Sequence, residues 1–514
     1  MSAPAILLGA LREIVPPAGG TLPLAAFDLD YAGLGRGLFP ETALIAGALV
    51  ILGLDVALLR RNQAVARLRA AAAIAAISVI CALFLSLRTG AIGEVFGGVL
   101  VLDSLATAAR AALLVLTLVV LGVSLGAAVP RRPAEYCAIL LFATAGFTLM
   151  AAAQQLLLAF LALELASLSL YILAGFDISR PESAEAAMKY FLLGALSSAF
   201  LLFGFSLIYG VTGSIELNQI AIALARQGPS PMLTIALVMV LVAFGFKAAA
   251  APFHLWAPDV YEGAPAPSAA LIASGSKLAG LILFTRLLWP GLGAVAGDVA
   301  TSHVGSGWLP VLAILSGASL LVGNFAALVQ TSVSRLLAYS AIAHAGALLL
   351  GVIVVGAYGP GPVFYYAATY GLATAGAFGV VGILERTGGN LQIRDLAGLS
   401  RRSPSLAACL LIFVLSLAGV PPLAGFFGKF AVFAAALRLG GIAGPAGWLA
   451  VAAILLSAVA LYYYLILLKY AFVAPAPTGS GRLAVSPVAL ATLVLAAAAT
   501  VFLGAFPSLL LGLF

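Results

Sequence analysis

Apolar residues run through this chain in long stretches that keep neither a helical stripe nor a strand alternation. Segments near 38–59, 70–88, 109–129, 135–152, 154–175, 187–211, 233–254, 265–288, 307–328, 333–354, 362–384, 406–437, 446–472 and 487–511 are apolar on all sides. A helix that is hydrophobic all round is buried in protein or lipid, and about 20 such residues cross the hydrocarbon of a bilayer. The pattern predicts an all-α polytopic membrane protein of about 14 transmembrane helices. Residues 1–35 read as a weakly patterned leader, with no basic stretch ahead of an apolar one.

Two of these segments are interrupted. In the seventh, Lys247 is followed by Pro252 and the chain continues as PFHLWAPDVYEGAPAP (252–267). In the twelfth, AGVPPLAGFFGKF (418–430) places Pro421 and Pro422 ahead of Lys429, among Gly419, Gly425 and Gly428. Proline removes a backbone donor and clashes with the preceding turn. Broken backbone at membrane depth persists only where protein or a wet cavity covers it. A pair of broken helices suggests an internal repeat of the transporter kind. Glu164 precedes Lys247 by 83 residues and His344 precedes Lys429 by 85. Each interval holds a helix rich in Tyr, Gly and Ala, at 189–204 and 365–379. The expected organisation is three helices within 1–134, two five-helix repeats at 135–290 and 305–474, and a loop with a last helix in 475–514.

Composition fits a bilayer protein. Of 514 residues, 63% are hydrophobic and only 8% are charged, against roughly 25% charged in soluble domains. The net charge of +7 comes with no basic stripe between aromatics, so nucleic-acid binding has no support. The arginines fall mostly in loops. Thirteen belong to loops after odd-numbered helices and seven to the other side, with the dense clusters (Arg60, Arg61, Arg67, Arg69; Arg394, Arg401, Arg402) all on the first side. By the positive-inside rule that side is cytoplasmic, and both termini lie outside.

Lysine usage changes the picture again. There are five lysines, and Lys189, Lys247, Lys277 and Lys429 lie inside apolar stretches; Lys469 flanks a span. An ammonium loses its proton when desolvation is severe enough, whereas a guanidinium stays charged. Titratable cations within the bilayer point to proton movement. Glu164, midway along LLLAFLALELASLSLYIL (156–173), cannot snorkel and must pair or protonate. Lys247, Lys277 and Lys429 are expected in a relay with it. Lys189 either joins them or snorkels to the interface. His254 and His344 lie between these charges in chain order, and imidazole relays protons near neutrality. Asp259 and Glu262 either gate the cytoplasmic side or cap a turn. His303 carries no assigned role. Cys81, Cys137 and Cys409 are isolated and imply neither zinc nor an Fe–S cluster. GSGRLA (479–484) lacks a preceding strand and GFFGKF (425–430) lacks the spacing of a phosphate loop, so neither is a nucleotide site.

The stretches LELASLSLYIL (163–173), EAAMKYFLLGALSSAFLLFG (185–204), GFKAAAAPFHLWAPDVYEGAPAP (245–267) and LAGVPPLAGFFGKF (417–430) closely resemble the subunit N family of respiratory complex I, the proton-pumping NADH:quinone oxidoreductase. The resemblance covers about residues 36–514. It implies 14 helices with two inverted five-helix repeats and proton translocation coupled to electron transfer from NADH to quinone. Glu164 and Lys247 would be the coupling pair, Lys277 the central lysine, Lys429 the exit-side lysine and Lys189 a further family lysine. It also implies no cofactor on this chain, with NADH, FMN, Fe–S clusters and quinone on partner subunits. The partners it implies are other membrane subunits, through them the peripheral redox arm, and the lipid of a bacterial inner membrane. A multisubunit Na+/H+ antiporter shares the fold and the Glu/Lys pattern; APDVYEGAP (257–265) stands where those antiporters carry a pattern like LPxAHxxAP.

Overall fold

The computed structural model describes residues 31–60, 62–128, 130–298, 307–386, 389–476 and 481–514. Most of the leader, His303 and the start of the 479–484 stretch lie outside the described residues. The first three spans are α1 (Tyr31–Leu54, prolonged by a π turn at Asp55–Leu59), α2 (Ala64–Thr89) and α3 (Ser104–Ser124). Next come α4 (Pro133–Ala152), α5 (Leu156–Ala174) and α6 (Pro181–Thr212). After a surface helix, α7 (Leu217–Gln227), the seventh span divides into α8 (Pro231–Ala248) and α9 (Trp256–Gly263). The eighth comprises α10 (Ala266–Ala273) and α11 (Gly275–Arg286), followed by α12 (Trp308–Ala327), α13 (Val333–Ile353) and α14 (Gly361–Glu385). The twelfth is split into α15 (Pro404–Ala418) and α16 (Ala424–Gly440), ahead of α17 (Pro445–Phe472) and α18 (Pro487–Ala505). Among the described residues, 13 helical segments are long and apolar enough to cross a membrane, and the split twelfth makes the fourteenth.

Loop chemistry sets the helix starts. Proline opens α4, α6, α8, α15, α17 and α18 in the first turn, where its missing N–H costs nothing. Side-chain oxygens cap α3 and α8: Asp103 accepts from the Ala106 amide at 2.7 Å, and Ser230 from the Leu233 amide at 3.2 Å. The α10–α11 span, α13 and α14 are enclosed by the rest, whereas α2, α6, α17 and α18 turn large side chains such as Ile77, Phe203, Leu455 and Leu495 outward. Lipid-facing leucines and phenylalanines are what a bilayer solvent predicts.

Both interruptions are real, and protein covers their free groups. At the first, Ala249 takes a left-handed φ of 55°, the Ala251 amide donates to Ser319 Oγ at 2.8 Å, and the Trp256 indole donates to the Phe246 carbonyl at 3.0 Å. At the second, Gly419 (φ 86°) ends α15 and the Gly425 amide donates to Ser416 Oγ at 3.1 Å. The lysines sit on opposite sides of their breaks: Lys247 in the last turn before, Lys429 in the second turn after.

Three features depart from the sequence expectations. A hairpin, β1 (Gly93–Val95) with β2 (Leu100–Leu102), joins α2 to α3 in antiparallel register Gly93↔Leu102. The amphipathic α7 buries Leu217, Ile220 and Leu224 on one face. Arg110 and Arg286, counted among the seven arginines of the sparse side, lie inside α3 and α11 and are buried. Each is retained by a carboxylate: Arg110 meets Glu41 at 2.9 Å, without hydrogen-bond alignment, while donating to the carbonyls of Thr148 and Gly37. Arg286 donates to both Asp103 oxygens at 3.0 and 2.5 Å and to the Ala151 carbonyl.

Candidate functional site

The five central groups of the expected relay lie on five helices, α5, α8, α11, α13 and α16; α8 packs on α11 and α13 on α16, while α14 packs on α11, α13 and α16. Glu164, half-buried in the middle of α5, accepts a hydrogen bond of 2.5 Å from Ser198 on α6. Lys247, at the end of α8, is buried; its Nζ donates to Ser167 Oγ, one turn from Glu164, and lies 5.8 Å from the centre of the Tyr171 ring. Glu164 is within electrostatic reach of Lys247, but the two form no ion pair within 4 Å. Each is retained by a serine instead. Gly194 makes room for this corner: a Cβ there would fall 2.0 Å from the Tyr171 hydroxyl.

From Lys247 the string passes to α11, where Gly280 faces the Lys247 stem, and on to Lys277 one turn earlier. Lys277 Nζ donates to the Ala341 carbonyl of α13 at 2.5 Å and lies 5.4 Å from the centre of the Tyr370 ring, within cation–π range. The same Tyr370 ring packs against His344, 4.8 Å between centroids. His344 is buried in mid-α13, with Nδ1 2.7 Å from the Tyr366 hydroxyl and Nε2 3.3 Å from the Tyr464 hydroxyl. Tyr464 continues to Ser340, and neighbouring Tyr463 donates to Asn324 at 3.3 Å.

Between His344 and Lys429 lies a cavity of about 20 Å³, whose polar lining includes Tyr366, Asn324, Ser457 and Tyr463. A polar cavity above about 10–15 Å³ accommodates one water. Lys429 itself reaches back across its break and donates to the Ala418 carbonyl at 2.9 Å, an acceptor left free by the end of α15. Both Lys277 and Lys429 are within electrostatic reach of the imidazole.

Lys189 and His254 stand apart from this string. Lys189 on α6 has a side chain 42% exposed and meets Glu185 and Asp259 at 2.6 Å each. Asp259 also takes Arg335 at 2.8 Å, and Arg335 takes Glu262 at 3.0 Å. Helices α6, α9 and α13 are thus tied by one five-membered ion network. It gives Lys189, Asp259 and Glu262 a pairing role. His254 is half-buried in the turn after the first break, and its Nδ1 makes no hydrogen bond among the described residues.

A family model described as "NADH:quinone oxidoreductase/Mrp antiporter, TM" matches residues 153–458. A curated relative named NADH-quinone oxidoreductase subunit N 2, from Acidobacterium capsulatum, is 46% identical over 94% of this chain and 99% of its own length. The chain belongs to the subunit N family of NADH:quinone oxidoreductases. A subunit N from Trichlorobacter lovleyi is 44% identical over 73% of this chain and 75% of its own. Among solved structures, a chain of respiratory complex I from Thermus thermophilus with bound aureothin superposes with a TM-score of 0.75, at 33% identity, over 92% of this chain and 98% of that one. A chain of the Mrp complex from Dietzia sp. reaches 0.78 at 22% identity, covering 94% and 96%, a likeness of fold.

Several members of the site carry no charge signal in the sequence. Tyr366 and Tyr370 belong to the Tyr-rich α14 that the spacing singled out, and that enrichment was the available clue. Ser167 and Ser198 look like ordinary small residues of a packed span. Tyr464 lies in a YYY run (462–464) in which Tyr462 is 61% exposed while Tyr463 and Tyr464 are covered.

Proposed function

We propose that this chain is an antiporter-like membrane-arm subunit of an NADH:quinone oxidoreductase and translocates protons along the string Glu164, Lys247, Lys277, His344 and Lys429. The observation that carries the reading is the lateral continuity of titratable groups within the bundle, closed between Lys277 and Lys429 by Tyr370, His344, Tyr366 and a water-sized cavity. A buried ammonium held by one neutral acceptor is charged at high cost. A carboxylate approaching Lys247 stabilises its charge and a retreating one expels the proton. Glu164, near but unpaired, is placed to act in this way.

The redox centres (FMN and Fe–S clusters, with NADH and quinone as substrates) are assigned to partner subunits, which this chain meets through other membrane subunits. Lys189 and His254 are proposed as access-side groups: Lys189 sets the charge of Asp259 at one end, and His254 offers a free imidazole nitrogen beside the first break. The arginine asymmetry supports a bacterial inner-membrane topology with both termini periplasmic. It sharpens once Arg110 and Arg286 are removed from the sparse side, because both are buried in helices rather than in loops. The left-handed endings at Ala249 and Gly419 are in keeping with two five-helix repeats at 135–290 and 305–474 related by inversion.

The test uses the assembled complex in liposomes, with NADH-driven acidification followed by a ΔpH dye and NADH oxidation in parallel. Lys247→Arg and Lys429→Arg keep a cation but not a releasable proton. Each is expected to lower protons moved per NADH at unchanged assembly. Wild-type pumping in both variants would reject the relay. Acidification that requires Na+ would favour the antiporter reading.

A further inference from the structure

At the end of the bundle where the arginine-rich loops gather, α2 begins, α3 ends, α14 ends and α18 begins. These four helix ends enclose a cavity of about 890 Å³ on the perimeter. Its walls are apolar, from Val65, Leu68, Leu125, Val485 and Val488, and two arginines stand in them, Arg69 on α2 and Arg386 just past α14. No carboxylate lines it. Both arginines are exposed, and neither forms an ion pair among the described residues, whereas nearby Arg67 is committed to Asp55 at 2.8 and 2.5 Å. Val65, Leu68 and Arg69 stand three and four residues apart, so one face of α2 carries both the apolar wall and the cation.

We infer that this cavity is a binding site for an anionic glycerophospholipid. Its phosphate lies between Arg69 and Arg386 and an acyl chain runs down the wall formed by Leu68, Leu125 and Val488. Two unmatched guanidinium groups at the headgroup level of a span recognise phosphate by charge and by forked hydrogen bonds. The apolar walls bind a chain that a free anion lacks. A transmembrane helix of a partner would leave both cations facing hydrocarbon or demand its own acidic pair, so the charge pattern favours lipid. The occupant would tie the start of α2 to the ends of α14 and α18.

The test takes the full chain purified in zwitterionic detergent and supplied with phosphatidylglycerol or phosphatidylcholine of the same acyl composition. Lipid retained per chain is counted by native mass spectrometry. The expected result is at least threefold preference for phosphatidylglycerol in the wild type and near-equal retention in the Arg69→Gln/Arg386→Gln double variant. Val488→Trp, which fills the wall and leaves both charges, is expected to reduce retention of phosphatidylglycerol. An unchanged preference in the double variant overturns the site. Competition by millimolar inorganic phosphate shows an anion site rather than a lipid site and also overturns it. So does disulfide capture of a partner subunit by Val488→Cys in native membranes.

Discussion

Histidine 344 shows how much of this site depends on uncharged neighbours. Its two nitrogens meet two tyrosine hydroxyls, and a third tyrosine ring separates it from Lys277. Replacing Tyr366 by Phe removes the shorter contact and one polar wall of the cavity toward Lys429. Protons moved per NADH in liposomes are expected to fall severalfold, with assembly unchanged on a native gel. Gly194→Ala tests the other end of the string. A methyl there would overlap the Tyr171 hydroxyl, and overpacking of this kind costs about 1–3 kcal/mol. The variant is expected to melt earlier in a thiol-dye assay and to lose pumping as Tyr171 leaves Lys247. A charge in an apolar run is an anomaly any reader of the sequence can find, and so Glu164, Lys247, Lys277, His344 and Lys429 were legible. Ser167, Ser198 and Tyr464 were not, because their role comes from which helix they face.

Among elements, the spans follow from hydrophobic length alone, and the breaks from proline at Pro252 and at Pro421–Pro422. The hairpin and α7 were missed because a three-residue strand and an 11-residue amphipathic helix lack the length that makes a span visible. Arg110 and Arg286 were misplaced for a different reason: their carboxylate partners are on other elements, and pairing is invisible along the chain. Arg110→Met would strand Glu41 in a buried site, at about 3–5 kcal/mol. The double variant Glu41→Gln/Arg110→Met is expected to recover much of the melting temperature. Asp103, at the start of α3, adds a pH dependence. Burial is the strongest single influence and opposes its ionisation, but the hydrogen bonds and positive charge of Arg286, with the Ala106 amide, together outweigh it and hold the carboxyl below its ordinary 3.8. Its contribution to stability is therefore complete above about pH 4 and is lost as pH falls through the depressed value. Asp103→Asn should melt below wild type at pH 7, the gap closing under acid.

At the scale of the whole molecule, the network of Glu185, Lys189, Asp259, Arg335 and Glu262 ties the helix after the first break to α6 and α13. An Asp259→Asn variant should loosen that corner, read as faster amide exchange across 252–263 with little change elsewhere. The topology has its own check: a cysteine placed near the C-terminus should react with a membrane-impermeant maleimide in intact spheroplasts if both ends face outward. The loop arginines carry this expectation, since permanent charge crosses a bilayer reluctantly.

Lys429 differs from Lys247 in one mechanical respect. Its ammonium grips a carbonyl on the far side of its own break, so it works as a latch across a hinge. A charge-assisted hydrogen bond is about twice as strong as a neutral one, so the twelfth span is expected to be stiffer with Lys429 protonated than with it neutral. Lys247 fastens to a different helix and leaves its own hinge untouched. One of the two hinges is therefore expected to register its proton as rigidity, and faster amide exchange at Gly419, Val420 and Leu423 in Lys429→Met would display the unlatched form.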